Sequence, residues 1–118
     1  YIIGIYQNNS SLLILNWYNM ITFTAPLRIR NHGNSPASWH FVTLPQDIAD
    51  QIKKITSGKP RRGRGSVPVQ VTIGYITWNT SIFPDSKSGS YLLPIKASIR
   101  KEFNLIAGDT LGITLIIF

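Results

Sequence analysis

Four cations crowd one short stretch of this chain: Lys59, Arg61, Arg62 and Arg64, interrupted by Pro60 and Gly63. A basic, glycine-punctuated loop offers several positive charges at once, which suits phosphate or nucleic acid. The alternative is a solvated hairpin loop. If all four bases touched phosphates, log K against log salt would slope at about −0.9 × 4, roughly −3.6, a weak and sequence-blind affinity. A second group mixes hydroxyls with a few charges: Thr80, Ser81, Asp85, Lys87, Tyr91 and Lys96. Hydroxyls both donate and accept, and an ammonium donates, so together they suit a small polar or anionic ligand. The structural alternative is equally concrete. Thr80 and Ser81 would cap turns, Asp85 would close an Asx-turn, and Lys96 would charge a helix face.

The catalytic inventory is thin. His32 and His40 are the two imidazoles, and His32 falls in a turn cluster. Activating a hydroxyl needs a base beside it and a carboxylate to orient that base. The chain has five acids, none at a diagnostic spacing from His40. With no cysteine there is no thiolate or disulfide chemistry. His, Asp and Glu do not cluster as a metal site requires. Gly63-Arg64-Gly65 is too short for a phosphate-cradling glycine motif and lacks the Lys-Ser/Thr ending. No metal or cofactor is expected, and no catalytic residue is assigned. His40 lies opposite Trp39 and Phe41 on an alternating run and reads as a partly exposed or hydrogen-bonded strand residue. Trp39 and Trp78 read as packing in the core or at the mouth of a barrel.

The elements that would position these groups are legible from periodicity. At 118 residues the chain is one domain's worth. An apolar fraction of 43% with only 14% charged residues fits a globular protein rather than a disordered or coiled-coil one. No apolar run approaches the ~18 residues that span a membrane. The first charged residue is Arg28, and Met20, the one methionine, immediately precedes a strict alternation. Residues 1–19 are therefore expected to be an upstream or appended segment and 20–118 a single domain; the alternative is an extra edge strand over Leu12 to Tyr18. Ile21, Phe23, Ala25, Leu27 and Ile29 share one face of a strand in which Pro26 is tolerable only at an edge or bulge. Ser38 to Leu44 alternates again. Pro45 suits the first turn of a helix bearing Ile48, Ile52 and Ile55, with Gly58 beyond it. Val67 to Ile73, Ile76 to Phe83, Tyr91 to Leu93 and Thr110 to Phe118 read as further strands. Pro84 to Ser90 reads as a polar loop, and Pro94 as the start of a second helix carrying Ile95, Ile99 and Phe103. Short strands with two brief helices predict a small closed β-barrel with helical plugs. A faint repeat, Phe41 to Pro45 against Ser90 to Pro94, hints at two similar halves, although the helical apolar positions differ by two residues.

Several motifs occur in a familiar order: Trp39-His40-Phe41-Val42-Thr43-Leu44-Pro45, Gly65-Ser66-Val67-Pro68-Val69, Trp78-Asn79-Thr80-Ser81-Ile82-Phe83-Pro84 and Tyr91-Leu92-Leu93-Pro94-Ile95-Lys96, then Gly108-Asp109. From about residue 20 to 118 the chain resembles the bacterial small-barrel family known as domain of unknown function nineteen-oh-five. That resemblance implies a closed six-stranded Greek-key-type barrel, a cytoplasmic location and no established activity. Relatives often carry an aromatic residue near Arg64 or Arg28, so a pocket here would be more cationic.

The first functional expectation is a non-catalytic module that binds a small polar or anionic ligand or a protein partner, favoured as a monomer and without membrane association. The rival is a DNA-binding regulator. Tyr91 to Leu115 looks like the strand–helix–Gly-Asp–strand half of AbrB-like transcription factors, and the net charge of +7 favours contact with nucleic acid. An enzyme of unknown reaction is the third reading.

Overall fold

The computed structural model describes residues 19–31, 38–58 and 65–118. Strand β1 (Met20–Asn31) buries Ile21, Phe23, Ala25 and Leu27 and exposes Thr22, Thr24 and Arg28. That period of two is what extended backbone presents to a single core. Ile29 departs from it and is 44% exposed. The strands β2 (Ser38–Thr43), β3 (Val67–Ile73), β4 (Ile76–Asp85), β5 (Ser90–Pro94) and β6 (Thr110–Ile117) follow. All their pairings are antiparallel, and in the order β1-β2-β5-β4-β3-β6 they close into a barrel. The small closed barrel that the alternation predicts, with the six strands that the resemblance implies, is the fold. Val42, Val69, Val71, Ile82, Leu93 and Leu115 are fully buried at its centre.

Two strands serve both sides of the barrel. β1 pairs with β6 over residues 20–26 and with β2 over 27–31. β4 pairs with β3 over 76–82 and with β5 over 83–85. A proline stands beside each handover, Pro26 and Pro84, where one missing N–H disturbs the ladder least. At the first handover the Leu27 N–H donates to the Asp109 carbonyl, and the Gly108 N–H donates to the Leu27 carbonyl, both at 2.8 Å. The expected polar loop from Pro84 is shorter than the sequence suggests, because Pro84 and Asp85 continue β4 opposite Tyr91 and Ser90.

Helix α1 (Gln46–Thr56) buries Ile48, Ala49 and Ile52 against the core. Pro45 stands just before it as the capping residue, its carbonyl accepting from the N–H groups of Ile48 and Ala49. Helix α2 (Ala97–Glu102) starts later than the sequence predicts. Pro94 ends β5, Ile95 is a linker, and Lys96 takes the capping position, its carbonyl accepting from Ile99 and Arg100. Asn104 then adopts φ 51°, and Leu105 donates back to the Arg100 carbonyl at 2.8 Å, which closes α2 after six residues. Phe103 packs over the β3–β4 hairpin. A Cβ on Gly74, whose φ is +60°, would meet the Phe103 ring at 2.8 Å, so this turn requires glycine.

The two halves, β1-β2-α1-β3 and β4-β5-α2-β6, have the same element order, and exchanging them leaves the barrel order unchanged. Their equivalence is not Leu-Pro on Leu-Pro. The Leu44 N–H donates to the Tyr91 carbonyl and the Ile95 N–H to the His40 carbonyl, each at 3.0 Å. Leu44 thus corresponds to Ile95, Pro45 to Lys96 and Ile48 to Ile99, and in this register the two-residue mismatch of the apolar helix positions disappears.

Some expectations fall on residues outside those described: segment 1–18 with the alternative strand over 12–18, the turn containing His32, and the bases Lys59, Arg61, Arg62 and Arg64. Asn19 is described, and its side-chain amide donates to the Ile117 carbonyl at 3.2 Å. Among the described residues no helix is long and apolar enough to cross a membrane.

Candidate functional site

The barrel wall parts between β4 and β5. β5 leaves β4 after the Phe83–Leu92 pair, and the chain then turns at Pro94 towards α2. Residues 76–82 of β4 stay with β3 alone, and the first residues of β2 keep only β1 as a ladder partner. Between them lies a cleft of about 360 Å³, near the lower end of small-molecule sites. Trp39 and His40 line it from β2, and Trp78, Asn79 and Thr80 from β4. Pro94 and Ile95 form its floor, and Lys96 and Arg100 supply its charge.

Each wall is held from behind. Trp78 packs on the hydrophobic core with its outer side to the cleft. The Trp39 ring lies 4.9 Å from that of Phe41, whose other neighbour is the Arg30 guanidinium at 5.2 Å. Arg100 is braced by donating from Nε to the Ile95 carbonyl at 3.2 Å. Its Nη1 approaches Nε2 of His40 at 3.4 Å. A guanidinium only donates, so Nε2 is the acceptor, and His40 is neutral with its proton on Nδ1. Burial first, and the Arg100 charge second, hold the His40 pKa below the ordinary 6.5. Among the described residues the buried Nδ1 has no hydrogen-bond partner. The Lys96 ammonium stands over the Trp78 ring, 5.7 Å from its centroid.

Among the described residues no carboxylate lines the cleft. Glu102, the acid of α2, accepts a hydrogen bond from the Tyr75 hydroxyl on the far side of the helix. That bond raises the Tyr75 pKa. Lys96 and Arg100 therefore face the cleft together without a neutralising partner among its lining residues, an arrangement that attracts an anion.

Of the six polar residues singled out in the sequence, the structure brings Thr80 and Lys96 to this cleft. Ser81 lies beside Thr80 but on the other face of β4, opposite Pro68. Tyr91 is 6% exposed and belongs to the core. Asp85 and Lys87 sit at the β4–β5 turn, at the opposite end of β5 from Lys96. There the Ser88 hydroxyl and N–H both donate to the Asp85 carboxylate, at 2.8 and 3.1 Å. The hydroxyl bond is the main reason that the Asp85 pKa lies below its usual value. Trp39, His40, Asn79 and Arg100 were not legible as one site. A signal for Arg100 exists: matching Ile48 to Ile99 rather than Leu-Pro to Leu-Pro sets Arg100 against Ala49, a cation where the other half buries a methyl group.

Comparison with curated proteins gives no match. The model of the family described as Domain of unknown function (DUF1905) matches residues 23–115, well over half of the chain and almost the whole barrel from β1 to β6. Its ordered motifs and its barrel thus agree on one assignment: the chain belongs to the DUF1905 family.

Proposed function

We propose that this chain is a non-catalytic barrel module that binds a small anion in the cleft between β2 and β4. The observation that carries the reading is the pair Lys96 and Arg100, two cations facing a cleft with no carboxylate among its lining residues. Arg100 is already oriented by the Ile95 carbonyl, so little side-chain entropy is lost when an anion binds. Asn79 and Thr80 add neutral hydrogen-bonding groups at the rim. The non-catalytic part of the proposal rests on His40, whose acceptor nitrogen faces Arg100 rather than a hydroxyl; no activated nucleophile results. Titrating inorganic phosphate into ¹⁵N-labelled protein tests the reading. Saturable shifts at Lys96 and Arg100, weakened at least about tenfold by Arg100→Gln, are expected for a charge-assisted contact. Shifts that Arg100→Gln leaves unchanged would place the anion elsewhere.

The net charge of +7 favours a second reading, weak contact with nucleic acid through Lys59, Arg61, Arg62 and Arg64. A mobility-shift assay at physiological salt that prefers one sequence by more than about 10³-fold would instead favour a DNA-binding regulator.

A further inference from the structure

Resting on that reading, we infer that the anion recognised in the cleft carries a flat aromatic body, which inserts between Trp39 and Trp78 while Arg100 and Lys96 hold its charged end. The two tryptophans come from strands on either side of the gap, β2 and β4, and both residues line it. Neither has to be ordered by a ligand: Phe41 lies against Trp39, and the core lies against Trp78. Two preorganised indoles at one small cleft favour planar molecules, because offset stacking needs a flat π surface and large rings lose little entropy on contact.

The position of Lys96 fits the same picture. At 5.7 Å from the Trp78 centroid its ammonium is near the outer limit of a cation–π contact. Such a contact is weak at an exposed site and is readily exchanged for an ion pair. An anionic group beside Arg100 draws the ammonium to itself and leaves the Trp78 face to the ligand's ring. The charged end then lies at the α2 side of the cleft and the ring between the two strands. The shared chemistry is one anionic group on one flat ring system, which an aromatic carboxylate and a purine nucleoside monophosphate both provide.

Four probes separate the possibilities by tryptophan fluorescence at neutral pH: benzoate, adenosine monophosphate, cyclohexanecarboxylate and inorganic phosphate. Benzoate and cyclohexanecarboxylate have the same charge and similar size, and only the first is flat. Benzoate is expected to bind at least about fivefold more tightly than cyclohexanecarboxylate, the scale of one good stacking contact. Trp39→Ala and Trp78→Ala should each reduce that preference, and Arg100→Gln should weaken benzoate and phosphate alike. Adenosine monophosphate surpassing benzoate would identify the nucleotide as the source of the flat anion, and the reverse the carboxylate. Equal binding of benzoate and cyclohexanecarboxylate would overturn the flat-body inference while leaving the anion site standing. Absence of saturable binding by all four up to about 10 mM would overturn both. Benzoate binding that Arg100→Gln does not weaken would also overturn the inference, since the ring would then sit elsewhere.

Discussion

The two halves of the barrel have the same plan and end differently. In the first, the strand leaving at Leu44 leads through Pro45 to α1, eleven residues long, which buries Ile48, Ala49 and Ile52. The polar groups around it are paired: the buried Ser90 hydroxyl donates to the Leu44 carbonyl at 2.7 Å, and Lys53 Nζ donates to the Gly89 carbonyl at 3.2 Å. In the second, Ile95 leads through Lys96 to a helix of six residues that buries Ile99 alone. Where the first half has Pro45 and Ala49, the second has Lys96 and Arg100. Four residues before Leu27 stands Phe23, in the core; four before Ile82 stands Trp78, half-buried at the cleft. The lesson is that one architecture can be closed by a longer apolar plug or left open by a short cationic one. The open end is where the proposed anion would enter.

The strongest way to break this comparison is to put the cation of the open end into the closed one. Ala49 is 0% exposed, so Ala49→Arg buries a charge without a partner and should cost about 3–5 kcal/mol in urea unfolding. An Ala49→Arg protein as stable as the parent would show that α1 is not a tight plug. The aromatic pair gives the next largest effect. Phe23→Ala should cost about 3–4 kcal/mol and Trp78→Ala about 2 kcal/mol, because only Phe23 is fully enclosed. Equal losses would mean that Trp78 is a core residue rather than a cleft wall.

At the open end, charge removal should be nearly silent for folding. Lys96→Ala should change stability by no more than about 0.5 kcal/mol while weakening phosphate binding, as expected of an exposed side chain whose one contact is a long cation–π pair. A Lys96→Ala protein that unfolds would exchange the roles of scaffold and site.

The smallest effect is a pH dependence carried by His40. Its folded-state pKa lies below 6.5, the unfolded value, so protons favour the unfolded chain. The stability it contributes is complete above about pH 6.5 and is lost as the pH falls through the lower folded value. Thermal melts should therefore drop as the pH falls below about 6.5, and His40→Gln should flatten that drop. Asp85, whose pKa is lowered chiefly by the Ser88 hydroxyl, adds a further loss in more acidic solution.

The barrel itself was legible in the sequence, because a period of two is a local property. Ile21 to Leu27 and Val67 to Ile73 announce which side is buried before any partner is known. The proline positions were also informative: Pro26 was confined to an edge or irregularity, and it lies at the point where β1 changes partner. Helix starts were less so. Leu44-Pro45 and Leu93-Pro94 look alike, yet Pro45 caps a helix and Pro94 ends a strand, since the pairing of β2 with β5 fixes which carbonyl each following N–H reaches. The cleft was almost invisible. Thr80 and Lys96 stand out for their chemistry, but Trp39, His40, Asn79 and Arg100 come from three separate elements, and their meeting depends on β4 parting from β5 after one short ladder. Sequence periodicity determines which face of each element seeks the core. Only the tertiary structure decides where two such elements fail to meet, because that depends on register across the barrel and on where α2 ends.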